Sequence, residues 1–589
     1  MPKITFSHNF LWVNFRRNFT LLLGLCLSIF IFNFNSASVF AVQTPTLSVS
    51  VDNAAVNVNG NQVINSVNGT TELPLNLTIN TTNKTGYTAT LNTETNETAL
   101  VNSGSASGAK IDSITGASSI LSLPVNTWGF KTSNETNYNP IPSLVTPTNI
   151  FQTTEKTNGN DVRGLNIGMK LGQNIESGSY DNKLIFSVVT NPYVGKAIMT
   201  EGPDFNNKLI NLGARHRANG FRKSPTAPAT HMNTINIEDE DSDYDIKMWI
   251  DPTEMMAYYY TESEKIYLNK NSSKMFDRSD DWRGYIQYIS NIDLSNFDTS
   301  NVADMSSMFA DMNQIKELNL SSFDTSKVTN MSSMFKGMYG FKSLDVSNFD
   351  TSNVTDMSSM FQGTWQLVSL NLLNFNTSKV KKMNSMFNGS SLPSLNLSSF
   401  NTSSVTDMNK MFYNMMKLTS LDLSNFDTTN VIDMSGMFSS TFKLTSLNLS
   451  SFNTSNVTNM KNMFAYTSRL ASLDLSNFDT TNVIDMNQMF FDMQKLVSLD
   501  ISNFNTNKTT NVGSMFGLRD DDAYEDVLEK IYVNNDFDTS NLMNFSNMFA
   551  YRYKLRGGNG SYRTDPSTAD KTWLRVDRPG VQGYFTRKP

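Results

Sequence analysis

The chain has 589 residues, a formal net charge of −7, one cysteine and three histidines, and its length is too great for one compact core. Removing residues 1–41, which carry Lys3, Arg16 and Arg17 and no acid, takes the charge from −7 to −10 and leaves two histidines, His216 and His231, and no cysteine. That composition excludes disulfides, cysteine–metal sites and thiol catalysis, leaves almost nothing for histidine chemistry or zinc, and makes nucleic acid or anionic lipid a poor partner.

Residues 1–41 read as a secretory signal peptide. Basic residues precede an apolar core, Phe19 to Phe34, and Val39-Phe40-Ala41 offers small residues for cleavage. The core is too short for a comfortable membrane span. Leu25 stands before Cys26 where a lipobox needs a small residue. The expectation is a secreted or cell-surface protein with no membrane insertion after cleavage.

Residues 42–195 carry short β-prone runs separated by Asn, Gly and Pro turns, which predicts an all-β sandwich-like module. Tyr87, Trp128 and Phe130 are its expected bulky core residues. Spacer and binding module are both open readings of it. Residues 196–291 change composition, with a basic patch (Arg215, His216, Arg217, Arg222, Lys223) and then an acidic run from Glu238 to Asp245. The spacing of Asp239, Asp241, Asp243 and Asp245 hints at a calcium loop. Tyr244 sits where such a loop wants Gly and Ile250 where it wants Glu, so a solvated loop is expected. Ile266 to Phe276 already ends in Met-Phe, and residues 196–291 are read as the N-terminal cap of a repeat array at 292–555.

Residues 292–555 repeat one frame ten times: L-x-L-S-x-F-[DN]-T-x-x-V-x-x-M-x-x-M-F, a variable stretch, a Leu and usually a Ser. A strict period near 26 residues predicts a solenoid of leucine-rich-repeat type, whose units cannot bury their apolar side alone. The period-two alternation of S-L-x-L-S predicts one short parallel strand per repeat. Apolar residues at i, i+3, i+6 and i+7 in V-x-x-M-x-x-M-F predict a short helical or 3₁₀ segment, with the preceding Asp/Asn-Thr supplying turn or cap oxygens. In the copy at 421–446 the inward residues would be Leu421, Leu423, Phe426, Val431, Met434, Met437, Phe438 and Leu444. Strands about 4.8 Å apart over ten copies would form a sheet on the order of 48 Å long. Methionines on an apolar face are read as core packing and not as a copper array.

The frame at Phe349 to Phe361 (FDTSNVTDMSSMF) resembles that of BspA-like leucine-rich repeat surface proteins. The lead-in Tyr258 to Phe276 and the terminal Gly557-Gly558-Asn559-Gly560, Asp570-Lys571-Thr572-Trp573 and Gly583-Tyr584-Phe585-Thr586 share the resemblance. It implies a curved solenoid exposed on bacterial cells and, for some members, adhesion to host matrix proteins or other bacteria.

A ligand would most naturally meet the outward strand column: Asp293, Asn319, Asp345, Asn371, Asn396, Asp422, Asn448, Asp474 and Asp500, flanked by serines such as Ser420 and Ser424. A row of Asp and Asn at strand spacing suits a repetitive polar ligand, a glycan or an extended peptide. The plainer alternative is a wet sheet face, and no aromatic interrupts the column. Thr509 and Val512 depart from the frame, and an acidic insertion comes after them from Arg519 to Lys530. It is either a functional loop or the decay of a terminal repeat. Residues 556–589 would close the stack, with Trp573, Tyr584 and Phe585 as plugs. The chain stops at GYFTRKP, with no sortase motif, so covalent attachment is not expected.

These features point to a non-enzymatic binding or adhesion protein, with an extracellular protein or glycan as partner and no cofactor, metal or catalytic residue. The alternative is a self-associating structural component of a surface or matrix. Neither a Gly-rich phosphate loop nor a G-x-S-x-G elbow is present to favour an enzyme.

Overall fold

The computed structural model describes residues 3–5, 45–213, 217–279 and 288–589. Apart from a short strand, Lys3–Thr5, the expected secretory leader lies outside the described residues, as do Arg215 and His216. The chain divides into two compact units, Met1–Gly195 and Lys196–Pro589.

The first unit is built of strands. Its larger sheet runs in the order Leu47–Val51, Thr70–Thr81, Asp161–Lys170, Thr127–Thr132, Lys110–Ser113, Leu100–Val101. A smaller one runs Leu184–Thr190, Tyr87–Thr93, Thr148–Gln152. Alternation sets the burial: in Thr70–Thr81 every second residue from Leu75 onward is buried. Leu77 and Ile79 of the larger sheet share a cluster with Tyr87, Ala89 and Val188 of the smaller. The three bulky residues expected in the core, Tyr87, Trp128 and Phe130, are all buried.

In the second unit one apolar core runs from Ala197 to Phe585. It opens on a helix, Gly202–Gly213, whose Phe205, Leu209 and Leu212 lie on one face and are buried. Phe205 meets Phe221 and Phe276 edge-on, at 5.5 and 5.4 Å between ring centres. From there the repeat copies succeed one another in parallel register. Single-residue bridges link Asn271, Asp304, Asn330, Asp356, Lys382, Asp407, Asp433, Asn459, Asp485, Asn511 and Asn544 in succession. Inside, one phenylalanine per copy stacks on the next from Phe276 to Phe549, as Phe412–Phe438 and Phe438–Phe464 do at 5.8 and 5.6 Å. Phe549 then packs on Tyr584 at 4.6 Å, and Tyr584 on Trp573 at 4.8 Å. All eight residues expected to face inward in the 421–446 copy are at most 2% exposed.

Two local expectations are corrected. No helical segment forms at V-x-x-M-x-x-M-F in any described copy. The residue before the second Met has a positive φ (Ser307 54°, Ser333 57°, Gly436 62°, Asn462 56°), which breaks a right-handed turn. Alternate N–H groups there donate outward to the next copy: Met305 to Asn330 O (3.0 Å), Ser307 to Ser332 O (2.8 Å) and Phe309 to Met334 O (3.1 Å). Bonds between copies thus replace the i→i−4 bonds of a helix. The S-L-x-L-S strands are also fewer than expected. Paired strands occur at Ser343–Leu344 with Ser369–Leu370, Ser420–Asp422 with Ser446–Asn448, and Ser498–Asp500 with Lys530–Val533, so the sheets are small and the continuous ladder runs elsewhere.

The Thr of [DN]-T holds copies together from the inside. Thr428 is fully buried; its hydroxyl donates to Asn453 O and accepts from Asn453 N, both at 2.8 Å. Thr299, Thr325, Thr351, Thr377, Thr402, Thr454 and Thr480 make the same donation to their next copy. Thr428→Val keeps the shape and orphans both backbone groups of Asn453. We expect it to cost about 1–3 kcal/mol and to speed amide exchange at Asn453. Unchanged exchange there would show that the hydroxyl is dispensable.

Candidate functional site

All nine residues of the predicted column are present as an outward row. Eight are exposed; Asp500 is half-buried, with Lys588 Nζ 2.8 Å from its Oδ2. Each spends one side-chain oxygen on its own backbone, accepting the N–H of the residue two further on at 3.0–3.1 Å. That Asx turn ends the outward segment and swings the chain inward to the next buried position. The remaining oxygen or amide of most members faces water as a hydrogen-bonding group. Where two copies pair as strands, Asn448 Nδ2 donates to Asp422 Oδ1 at 2.8 Å. Ser420 and Ser424 flank Asp422 and are exposed.

The turns also set the electrostatics. The Ser347 hydroxyl and backbone N–H hold the Asp345 carboxyl below its ordinary 3.8. The backbone N–H and hydroxyl of Ser424 do so for Asp422, and those of Ser476 for Asp474. A depressed folded pKa contributes stability above the unfolded value, and that stability is lost as pH falls through 3.8 toward the folded one. Burial pushes Asp407 and Asp492 upward, so these two oppose the trend. The expected net result is a denaturation midpoint that falls below about pH 4. Asp345→Asn, which keeps the turn oxygen, should remove part of that fall. A midpoint constant between pH 5 and pH 2.5 would contradict this account.

The acidic loop spends its carboxylates locally. Asp239 accepts from Asp241 N (3.0 Å) and from Asn269 Nδ2 (2.7 Å), and Asp243 accepts from Lys196 N (2.8 Å). Of the basic patch, Arg222 donates to the Tyr258 hydroxyl at 2.6 Å and Lys223 to Ser263 O at 2.5 Å. The insertion forms a 3₁₀ turn, Asp520–Glu525, and its Asp526 is 3.2 Å from Arg552 Nη1 in a buried pair. Among the described residues no helix is long and apolar enough to cross a membrane.

One feature of the repeat face was not anticipated from the sequence. A shallow groove of about 200 Å³ crosses several copies, with Tyr339 and Trp365 at its edge and Gly337, Gly363 and Gly389 along it. The signal was present as a glycine in three consecutive copies at one position, with Tyr and Trp two residues later in the first two.

The family described as "Mycoplasma protein of unknown function, DUF285" matches residues 270–392, 361–471, 442–549 and 469–573. No curated protein and no solved structure matches the chain. The four overlapping matches track the ladder of bridged copies from Asn271 to Asn544 and run on into the closing segment. With just over half of its length matched in this way, the chain belongs to the DUF285 family.

Proposed function

We propose that the stacked copies form a leucine-rich-repeat-type solenoid of the BspA-like kind and that the protein is a secreted or surface-exposed adhesin or binding protein. In this reading an extracellular protein or glycan lies along the repeat face, held by many weak contacts and not by one deep pocket. The observation that carries it is the Asp/Asn column, in which one polar residue recurs copy after copy in the same outward turn. Such spacing matches a repetitive polar ligand and multiplies individually small contacts. The basic and apolar run at residues 1–41 supports export, and the low charge suits an extracellular surface.

The test uses the full chain in a binding screen against immobilised matrix proteins and glycans. Asp345, Asp422 and Asp474 are then changed to Asn singly and together. Asn keeps the Asx turn, so folding is preserved while charge leaves the column. Binding that weakens step by step supports the proposal; binding indifferent to the triple variant removes the column from it. Light scattering on the unliganded chain decides against a self-associating matrix component if the protein stays monomeric.

A further inference from the structure

The groove crossing the repeat copies has the construction of a sugar-binding site. We propose that Tyr339 and Trp365 form an aromatic platform that binds a neutral pyranose ring of an oligosaccharide. This rests on the binding reading above and assigns to it a ligand class and a place apart from the Asp/Asn column.

In each copy from Asp311 to Asp492 the residue three positions after the second Met of the frame takes a left-handed conformation, but it need not be glycine. Asp311 (58°), Asn414 (57°), Ser440 (62°), Tyr466 (62°) and Asp492 (61°) all occupy it. Glycine stands there in three consecutive copies, at Gly337 (69°), Gly363 (70°) and Gly389 (71°). Backbone strain alone therefore does not account for the run. The run removes three side chains in a row; at Gly337 the Asp311 carboxylate takes up the space, while at Gly363 and Gly389 the strip is left open. A Cβ on Gly363 would sit 3.6 Å from Gly337 and from the Tyr339 ring, and one on Gly389 would sit 3.3 Å from the Trp365 indole nitrogen.

Two aromatics stand beside the bared strip. Tyr339 N donates to Gly337 O and Trp365 N to Gly363 O, both at 3.0 Å, which fixes where each side chain leaves the backbone. Their rings lie 5.0 Å apart at 35°. Trp365 is 58% exposed and Tyr339 37%, in contrast to the phenylalanines stacked within. Gln362, Asn388 and Asn414, half-buried, line the groove. Its two charged neighbours, Asp311 and Lys336, are of opposite sign. An aromatic face beside uncharged donors and acceptors matches a sugar, which offers a C–H face and a hydroxyl rim. The volume of about 200 Å³ is below the range of drug-sized pockets and suits one ring of a longer chain. Exposed Trp and Tyr also serve protein interfaces, but a floor of open glycine backbone at Gly363 and Gly389, beside Gln362, Asn388 and Asn414, favours the smaller ligand.

The experiment titrates the full chain with cellotriose, maltotriose and chitotriose by calorimetry, with the Asp345/Asp422/Asp474→Asn variant as a parallel arm. At least one trisaccharide should bind. Trp365→Ala should weaken it roughly tenfold, the effect of losing one stacked aromatic contact, and Trp365→Phe should lose less. Gly363→Asn should abolish binding without unfolding, because Asn414 already holds that conformation two copies on. The column variant should leave the trisaccharide affinity unchanged. Saccharide binding indifferent to Trp365→Ala and Gly363→Asn overturns the site. So does absence of saccharide binding in a chain that still binds a matrix protein through its column, and that result leaves the broader reading standing. Loss of matrix-protein binding on Trp365→Ala, with no saccharide bound, assigns the groove to a protein and likewise overturns the proposal.

Discussion

Replacing Arg552 by methionine is expected to cost about 3–5 kcal/mol, the range for breaking a buried ion pair from one side. Arg552 and Asp526 have side chains only 1% and 2% exposed, with Nη1 and Oδ1 at 3.2 Å. Burial pushes the guanidinium below its ordinary value, and the facing Asp526 carboxylate resists that shift. The other guanidinium nitrogens are also committed: Nε donates to Phe516 O at 2.6 Å and Nη2 to Met493 O at 3.2 Å. Asp526 in turn accepts Lys554 N at 2.7 Å. One side chain therefore ties the acidic insertion to the copies on either side of it. That tie keeps Lys530–Val533 in parallel register with Ser498–Asp500 and with the closing strand Phe585–Arg587. Arg552→Lys should not rescue, since an ammonium cannot reach three acceptors in a plane. Asp526→Leu added to Arg552→Met should recover part of the loss, because no buried charge then remains unpaired. Chemical denaturation of the three variants checks this. A single variant within 1 kcal/mol of the parent would show that the pair is not what seats the insertion.

The insertion illustrates how far the sequence could be read. Its departure from the frame was visible, but neither loop function nor decay anticipated a buried arginine 26 residues away as its anchor. Periodicity alone was enough to place the core, because Val, Met, Met and Phe recur at positions no exposed face would keep apolar. It was not enough to assign backbone conformation. The i, i+3, i+6, i+7 spacing of V-x-x-M-x-x-M-F is shared by a helix and by a turn broken at Ser307 and its equivalents. Ser, Lys and Gln at that place give no warning of a positive φ. The choice is made by hydrogen bonds to the next copy, which no single repeat contains. The Asp/Asn column was legible as an outward row, while its commitment to Asx turns depended on backbone geometry two residues ahead. The Tyr339–Trp365 platform lay off that row, in the variable stretch where the frame sets no expectation.

Cutting the phenylalanine stack in its middle should divide the array. Phe438 is fully buried between Phe412 and Phe464, its ring 4° and 12° from theirs. Phe438→Ala should cost about 3–5 kcal/mol through lost transfer energy and the cavity left behind. The loss falls on the two interfaces that join this copy to its neighbours, and in a repeat array those interfaces carry the cooperativity. The segments on either side each retain an end piece, the Phe205–Phe221–Phe276 cluster at one end and the Phe549–Tyr584–Trp573 cluster at the other. The second unit, Lys196–Pro589, is therefore expected to unfold in two separated transitions in the variant and in one in the parent, with amide exchange fastest at Phe412 and Phe438, whose N–H groups donate to Met437 O and Met463 O. Phe549→Ala removes a ring of the same size at the end of the stack and should fray only the last copy and the closing segment, leaving a single main transition. If both variants lost the same stability in one transition, the array would still unfold as a single cooperative unit, and the interfaces at Phe438 would not be where it divides.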